Sequence, residues 1–143
     1  LAAARSAAAQ GGRIVDTAHG PIEYAVSGAG VPLLSIHGAG GGFDQGLANA
    51  AAFVDDGFQV IAPSRFGYLR TPIPADTSDA AQADAHAALL AALDVATAIV
   101  VGVSAGARSA IELALRHPQR VTALVLIVPA SYAPASPVNI EGS

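Results

Sequence analysis

The 143-residue chain is 52% hydrophobic and 13% charged, with seven arginines, no lysine and a formal net charge of −4. This composition excludes a disordered chain and provides no basic surface for nucleic acid or an anionic membrane. The absence of cysteine excludes disulfides and thiolate–metal sites, and no apolar run reaches the ~20 residues of a membrane span. We therefore expect one domain or part of one, with no metal and no cofactor.

Residues 1–12 are alanine-rich and lack an initiator methionine. We interpret them as an appendage to a single domain over residues 13–143. Their composition fits the remainder of a signal, of an upstream helix or of a truncated chain. The compartment stays open: it is cytoplasmic by default, and secreted or periplasmic if a signal was removed. The oligomeric state is not predicted.

Two short strand-like runs, residues 13–17 and 22–27, flank a turn composition. This pattern predicts an antiparallel hairpin. His19 lies in the turn, and we expect it to be solvated, without a ligand or a catalytic role.

Residues 31–36 are apolar on both faces, as in a central parallel strand, and a glycine-rich loop follows from His37. The loop matches neither phosphate-binding glycine pattern, so nucleotide binding is the weaker interpretation. Such a loop also lets backbone N–H groups approach a substrate carbonyl closely. The Ala39 N–H is the favoured donor, with Gly40 as a substitute, and His37 is expected to order the loop by hydrogen bonding.

A helix over residues 43–55 and a strand over residues 58–63 follow. The long loop over residues 64–74 then carries aromatic and basic side chains. Because long loops at the carboxyl ends of parallel strands line binding crevices, three of these side chains either contact substrate or anchor the loop: Arg65, Phe66 and Tyr68.

The next predicted helix spans residues 76–93, with Thr77 or Ser78 as its N-cap. One apolar stripe of this helix faces the core, and it consists of Ala80, Ala83, Ala87, Leu90 and Leu93. His86 lies within this helix, and we expect it to be an exposed helical residue.

A β-branched run over residues 99–101 stops at a G-x-S-x-G motif formed by Gly102, Ser104 and Gly106, and helical spacing resumes after it. A serine at the apex of such a turn adopts a strained conformation, and the glycines are needed because a Cβ would clash. The following helix points its positive dipole end at the serine. The alternative is a glycine-rich turn whose serine only caps the helix.

The last helix ends near His117, whose charge suits the negative end of the helix dipole. A continuous apolar strand over residues 121–129 follows, and residues 130–143 read as loop. Strands that alternate with helices predict an α/β fold with a mostly parallel sheet and flanking helices.

Together, the His37-Gly38 loop, the motif around Ser104 and residues 116–121 resemble the α/β-hydrolase superfamily, in its serine-nucleophile branch. The resemblance implies that Ser104 is the nucleophile and that the backbone N–H groups of Ala39 and Ala105 form the oxyanion hole. A serine at this position points toward esterases, lactonases, C–C bond hydrolases and cofactor-free haloperoxidase-like enzymes. It points away from haloalkane dehalogenases and epoxide hydrolases.

The chain departs from the family pattern of serine, then acid, then histidine. After Ser104 the acidic residues are Glu112 and Glu141, and the histidine is His117. His117 lies along the helix, on the order of 20 Å from Ser104, so it cannot be the base. By the resemblance about six of eight strands are present, and we expect an amino-terminal portion of an enzyme of roughly 250 to 300 residues. Residues 121–129 would then form an apolar edge prone to association.

The first functional hypothesis is a serine hydrolase that attacks an ester-like or related small-molecule carbonyl through an acyl-enzyme on Ser104. Its acid and histidine are expected beyond this chain, which alone would be inactive. The alternative is a non-catalytic hydrolase-fold protein that binds a small ligand or a partner. The substrate itself is not predicted.

Overall fold

Six strands form one sheet in the computed structural model, which describes residues 11–53 and 55–130. The strands are β1 (Arg13–Thr17), β2 (Gly20–Ser27), β3 (Val31–Ile36), β4 (Phe58–Pro63), β5 (Ala98–Val103) and β6 (Val121–Ile127). Their order across the sheet is β1-β2-β4-β3-β5-β6. The first two form the predicted antiparallel hairpin, and β2 also pairs antiparallel with β4. The remaining pairs are parallel, so the mostly parallel sheet is confirmed.

Within the described residues, three helices flank the sheet: α1 (Phe43–Phe53), α2 (Asp79–Ala92) and α3 (Ala107–Arg116). Two short 3-10 turns, Ser104–Gly106 and Pro118–Arg120, precede and follow α3. No helix in the described part of the chain is long and apolar enough to cross a membrane. The arrangement is the predicted α/β fold.

Alternation along the strands divides the core between the two faces of the sheet. Leu34 packs in the cluster that contains the buried side chains of α2 and α3, whereas Leu33 packs with Ala50 of α1. The same alternation separates Ile61 from Val60 in the neighbouring strand. Because successive side chains of a strand point to opposite faces, these doubly apolar strands require helices on both sides.

The ends of several elements differ from the predicted ones. The helix predicted over residues 76–93 begins at Asp79, because the Ser78 side chain accepts a hydrogen bond of 3.1 Å from the Ala81 N–H and so caps it. Helix α1 and strand β6 end two residues earlier than predicted. Residues 1–10, most of the proposed appendage, and residues 131–143, which include Glu141, lie outside the described residues.

Strand β6 forms one edge of the described sheet and pairs there with β5. Three successive apolar side chains on this strand, Leu124, Val125 and Leu126, are 36–44% exposed. An apolar strand that is exposed at an edge offers its surface to another chain or segment. The structure thus has the apolar edge that the sequence predicts, and association through it stays a prediction.

The order of the strands reverses at β3. The chain leaves β3 through α1 to reach β4 on one side, and it returns through α2 to reach β5 on the other side. Loops that leave the carboxyl ends of strands on either side of such a reversal diverge and open a crevice. The loop after β3 and the turn after β5 meet at this point.

Candidate active site

The turn between β5 and α3 holds Ser104 at its apex. Ser104 has a φ angle of +50°, in the left-handed region that non-glycine residues seldom adopt. It is half-buried, and the 3-10 turn that it begins leads directly into α3. The strand, sharp turn and helix predicted around the motif are therefore present, and the backbone is strained at the serine itself.

Both glycines of the motif lie where no side chain fits. A Cβ on Gly102 would lie 2.7 Å from the Ala110 Cβ and 2.9 Å from the Ala107 Cα, so this glycine lets α3 pack closely on β5. A Cβ on Gly106 would lie 2.4 Å from the carbonyl oxygen of His37. The clash that the sequence predicts is confirmed at both positions.

The loop after β3 lies against Ser104. Ile36 pairs with Gly102 across the parallel strands β3 and β5, which sets the following residues of the two strands side by side. A Cβ on Gly38 would lie 3.3 Å from the Ser104 Cβ. Ala39 and Gly40 come next and are exposed. The structure thus brings together the elements that carry the proposed nucleophile and both proposed oxyanion donors.

Two of the three side chains singled out in the loop after β4 contact the loop after β3. The Arg65 guanidinium donates hydrogen bonds to the carbonyl oxygens of His37 (3.0 Å) and Gly38 (3.1 Å). The Tyr68 ring lies under the guanidinium, 4.9 Å from its carbon, and edge-on to His37. Phe66 packs instead against the hydrophobic core. Arg65 and Tyr68 thus anchor the loop after β4 to the loop after β3, and Phe66 anchors it to the core.

Sequence reasoning missed the polar side chains that support this region from further away. The Gly38 N–H donates to Gln45 Oε1 at 2.7 Å, from the first turn of α1. On the other side of the loop, the buried carboxylate of Glu23 accepts hydrogen bonds from the Ser64 hydroxyl and pairs with Arg70. A carboxylate inside an apolar strand was the one signal in the sequence that pointed to such a network.

Another apolar side chain reaches this region without a signal in the sequence. Leu69 has a φ angle of +48° and is 48% exposed. A Cβ on Gly42 would lie 2.7 Å from its Cδ1, so Leu69 covers the end of the glycine-rich loop. By contrast, a cavity of about 410 Å³ beside Gly28 and Phe58 lies at the amino ends of the strands, away from Ser104.

A family model described as the alpha/beta hydrolase fold matches residues 31–141, from β3 through the turn at Ser104 and beyond β6. The chain belongs to the alpha/beta hydrolase family. Its structure is similar to that of an alpha/beta hydrolase fold protein from Nakamurella multipartita, with a TM-score of 0.81. The two are 41% identical over 85% of this chain and 42% of that one.

Two enzymes are also similar to this chain. A 2-hydroxymuconate semialdehyde hydrolase of Pseudomonas sp. (strain CF600) is 40% identical over 71% of this chain and 37% of its own length. The N-acyl homoserine lactonase AidH, solved with N-butanoyl homoserine, is 29% identical with a TM-score of 0.70, over 82% of this chain and 44% of that one. This chain spans about two-fifths of the length of the curated relatives that it matches.

In this member of the alpha/beta hydrolase family, His37 orders the loop, as the sequence predicts. Its Nε2 accepts a hydrogen bond of 2.9 Å from the Arg65 backbone N–H, and its Nδ1 lies 2.6 Å from the Gly38 carbonyl oxygen. Burial lowers the pKa of His37 to about 4. Because both ring nitrogens are engaged, His37 has no lone pair with which to take a proton from Ser104.

The prediction that His86 is exposed is wrong. His86 is 1% exposed, and its Nε2 lies 3.2 Å from the Ser109 hydroxyl of α3. The reason is that α2 packs against α3 as well as against the sheet, and His86 lies on the face that contacts α3. Burial, with smaller effects of the Arg65 and His37 charges, lowers the pKa of His86 to about 3. His19 is exposed, as predicted.

His117 follows α3 directly, at the end of that helix opposite Ser104. Its Nε2 lies 2.7 Å from Asp84 Oδ1, and Arg116 donates two further hydrogen bonds to the same carboxylate. The hydrogen bonds from Arg116 and then His117 lower the pKa of Asp84 to about 2. An aspartate–histidine pair is thus present, but it joins α2 to α3 at the wrong end of the helix to serve Ser104.

Proposed function

We propose that this chain supplies the nucleophile and the oxyanion-binding half of a serine hydrolase that acts on an ester-like or related small-molecule carbonyl compound. The observation that carries the proposal is the positive φ angle of Ser104, at a turn where Gly102 is packed against α3 and Gly106 against the carbonyl oxygen of His37. Strain of this kind persists where the surrounding structure enforces it, and it is concentrated at active sites.

In the proposed reaction, Ser104 Oγ attacks the carbonyl carbon and its proton passes to a base. The carbonyl oxygen becomes an oxyanion, which the backbone N–H groups of Ala39 and Ala105 stabilise. Collapse of this intermediate expels the protonated leaving group and leaves an acyl-enzyme, which water then hydrolyses. The Gly40 N–H is the substitute donor if the Ala39 N–H points away from the oxyanion.

The base and its acid partner are proposed to lie outside this chain. Among the described residues, His37 is fully engaged with the loop, His86 is buried against α3, and His117 is remote from Ser104. The named relatives are hydrolases of which this chain covers about two-fifths, which is consistent with a triad completed elsewhere. This chain alone is therefore expected to be inactive.

The rim of the site supports a small substrate with apolar parts. Leu69 is exposed beside the glycine-rich loop, and Arg65 and Tyr68 contact the start of that loop from the carboxyl end of β4. Ester, lactone and C–C substrates all present the carbonyl group that this mechanism requires. A semialdehyde hydrolase and a lactonase among the similar proteins support this range of substrates.

The test uses the natural protein, with any residues that flank this chain. It combines labelling by a fluorophosphonate probe, which reacts with activated serines, with hydrolysis of a 4-nitrophenyl ester. We expect Ser104→Ala to abolish both labelling and turnover. Ser27→Ala is the matched control, because Ser27 is exposed on β2, and it is expected to change neither. Full turnover by Ser104→Ala would exclude Ser104 as the nucleophile. A natural protein that folds but neither reacts with the probe nor turns over esters would favour the non-catalytic ligand-binding alternative.

A further inference from the structure

The peptide unit between Gly38 and Ala39 carries the proposed oxyanion donor, the Ala39 N–H, at one end. At its other end the Gly38 carbonyl oxygen has two hydrogen-bond partners. The Gly38 carbonyl oxygen accepts from Arg65 Nη2 at 3.1 Å and lies 2.6 Å from His37 Nδ1. The carbonyl and the Ala39 N–H belong to one planar, conjugated group. Hydrogen bonds to its oxygen therefore polarise the N–H and strengthen it as a donor.

The proton on His37 is fixed by its neighbours. The Arg65 backbone N–H can only donate, so His37 Nε2, 2.9 Å away, is the acceptor. In the neutral ring the proton is then on Nδ1, which donates to the Gly38 carbonyl oxygen. Arg65 thus acts on this carbonyl twice, once through its guanidinium and once by setting the tautomer of His37.

The guanidinium also holds the preceding peptide unit. Arg65 Nε donates to the His37 carbonyl oxygen at 3.0 Å, so the fork of one arginine spans two successive carbonyls. On the far side of that unit the Gly38 N–H is bound by Gln45 Oε1. Both peptide planes are therefore restrained, and in residues 11–53 and 55–130 no acceptor is found for the exposed Ala39 N–H.

We propose that Arg65 is a positioning residue of the oxyanion hole, which orients and polarises the Gly38–Ala39 peptide so that the Ala39 N–H binds the transition state better than the substrate. The inference rests on the proposed function and deepens it. A lysine offers one compact ammonium group in place of a planar fork and does not reproduce the geometry of the two bonds. Stacking on Tyr68 holds the guanidinium plane in place.

The test compares Arg65→Gln and Arg65→Lys with Arg116→Gln in the natural protein. Arg116 is the matched control, because it also donates two hydrogen bonds but lies at the far end of α3. For each variant, active sites are counted by fluorophosphonate titration. Then kcat and KM are measured with a 4-nitrophenyl ester, and Ki is measured for an alkyl boronic acid, which forms a tetrahedral adduct with an active serine.

Loss of a whole oxyanion donor lowers kcat about 100- to 1,000-fold, so a misoriented and less polarised donor is expected to cost about tenfold or more. We expect Arg65→Gln to lower kcat per titrated site by that factor, with KM within about twofold and boronic acid binding weakened in parallel. Arg65→Lys should recover part of the loss. Arg116→Gln should leave all three constants unchanged.

A merely structural role for Arg65 would give a different result. Arg65→Gln would then lower the melting temperature or the titrated fraction, while kcat and Ki per active site stayed at the wild-type values, and this outcome would overturn the inference. If Arg65→Gln does not fold, Arg65→Lys decides by the same comparison. Because Ser104→Ala is assayed in parallel, turnover in that variant would identify failure of the proposed function rather than of the Arg65 inference alone.

Discussion

Replacement of Gly106 by alanine perturbs the contact between the turn at Ser104 and the loop at His37. The added Cβ would lie 2.4 Å from the His37 carbonyl oxygen and 2.7 Å from that of Ile36, whereas ordinary contacts begin at 3.4 Å. Gly106 has a φ angle of −72°, which alanine adopts freely, so the effect is steric alone. Both obstacles are backbone atoms, so the two segments must separate by about 1 Å, because no side chain rotation relieves the overlap.

A misplacement of about 1 Å at a catalytic site costs about 100-fold in rate, and overpacking of this kind costs about 1–3 kcal/mol in unfolding free energy. We expect Gly106→Ala to lower the kcat of the natural protein for a 4-nitrophenyl ester about 100-fold. We also expect it to lower the unfolding free energy, measured by urea titration, by about 1–3 kcal/mol. Gly11→Ala is the matched control, because its Cβ would lie 3.9 Å from the Phe43 ring, an ordinary contact.

The reasoning would be refuted by a Gly106→Ala protein whose kcat and urea midpoint both equal those of Gly11→Ala. Such a result would mean that the two segments separate without consequence, and that their close contact does not set the geometry around Ser104. Loss of stability with unchanged kcat would show that the overlap is relieved without moving Ser104 and would refute the catalytic part.

Two further predictions concern stability and its dependence on pH. Asp84→Asn removes the carboxylate that Arg116 and His117 share, and should lower the unfolding free energy by about 0.5 kcal/mol at pH 7. The pKa of Asp84 is lowered from 3.8 to about 2 in the folded protein. Urea titrations of the two proteins should therefore differ above pH 3.8, and the difference should disappear toward pH 2. Burial lowers the pKa of His86 from 6.5 to about 3, so below pH 6.5 the unfolded chain takes up a proton that the folded protein does not. The unfolding free energy therefore falls as the pH is lowered from 6.5 toward 3. His86→Gln should reduce this fall between pH 6.5 and 4 by up to about 1.4 kcal/mol per pH unit. An unchanged pH slope in His86→Gln would show that the imidazole is not held neutral by burial.

The elements and the turn at Ser104 were predictable because their signals are local. The glycines at 102 and 106 and the β-branched run before them lie within a few residues of the serine, and the clash that they avoid follows from the sharpness of the turn itself. The hairpin was likewise encoded by the turn composition around His19. Local periodicity placed most element ends within two or three residues.

The support of the site was not predictable, because it depends on contacts between distant parts of the chain. Arg65 reaches carbonyl groups 27 and 28 residues away, and Glu23 meets Arg70 across 47 residues. His86 was misjudged for the same reason, since its burial is decided by the packing of α3 on α2 rather than by the pattern of α2 alone. A single sequence carries the identity of these side chains but no sign of their partners.

The position of the proposed site at the centre of the sheet has a consequence for how the proposed activity would be lost. The strands that carry the two halves of the site, β3 and β5, pair directly over four successive residue pairs, and each is covered by another strand on its outer side. Fraying begins at the ends and edges of a fold, where the free energy of local opening is smallest. Inactivation by heat should therefore be cooperative, because the site cannot come apart before the sheet itself unfolds.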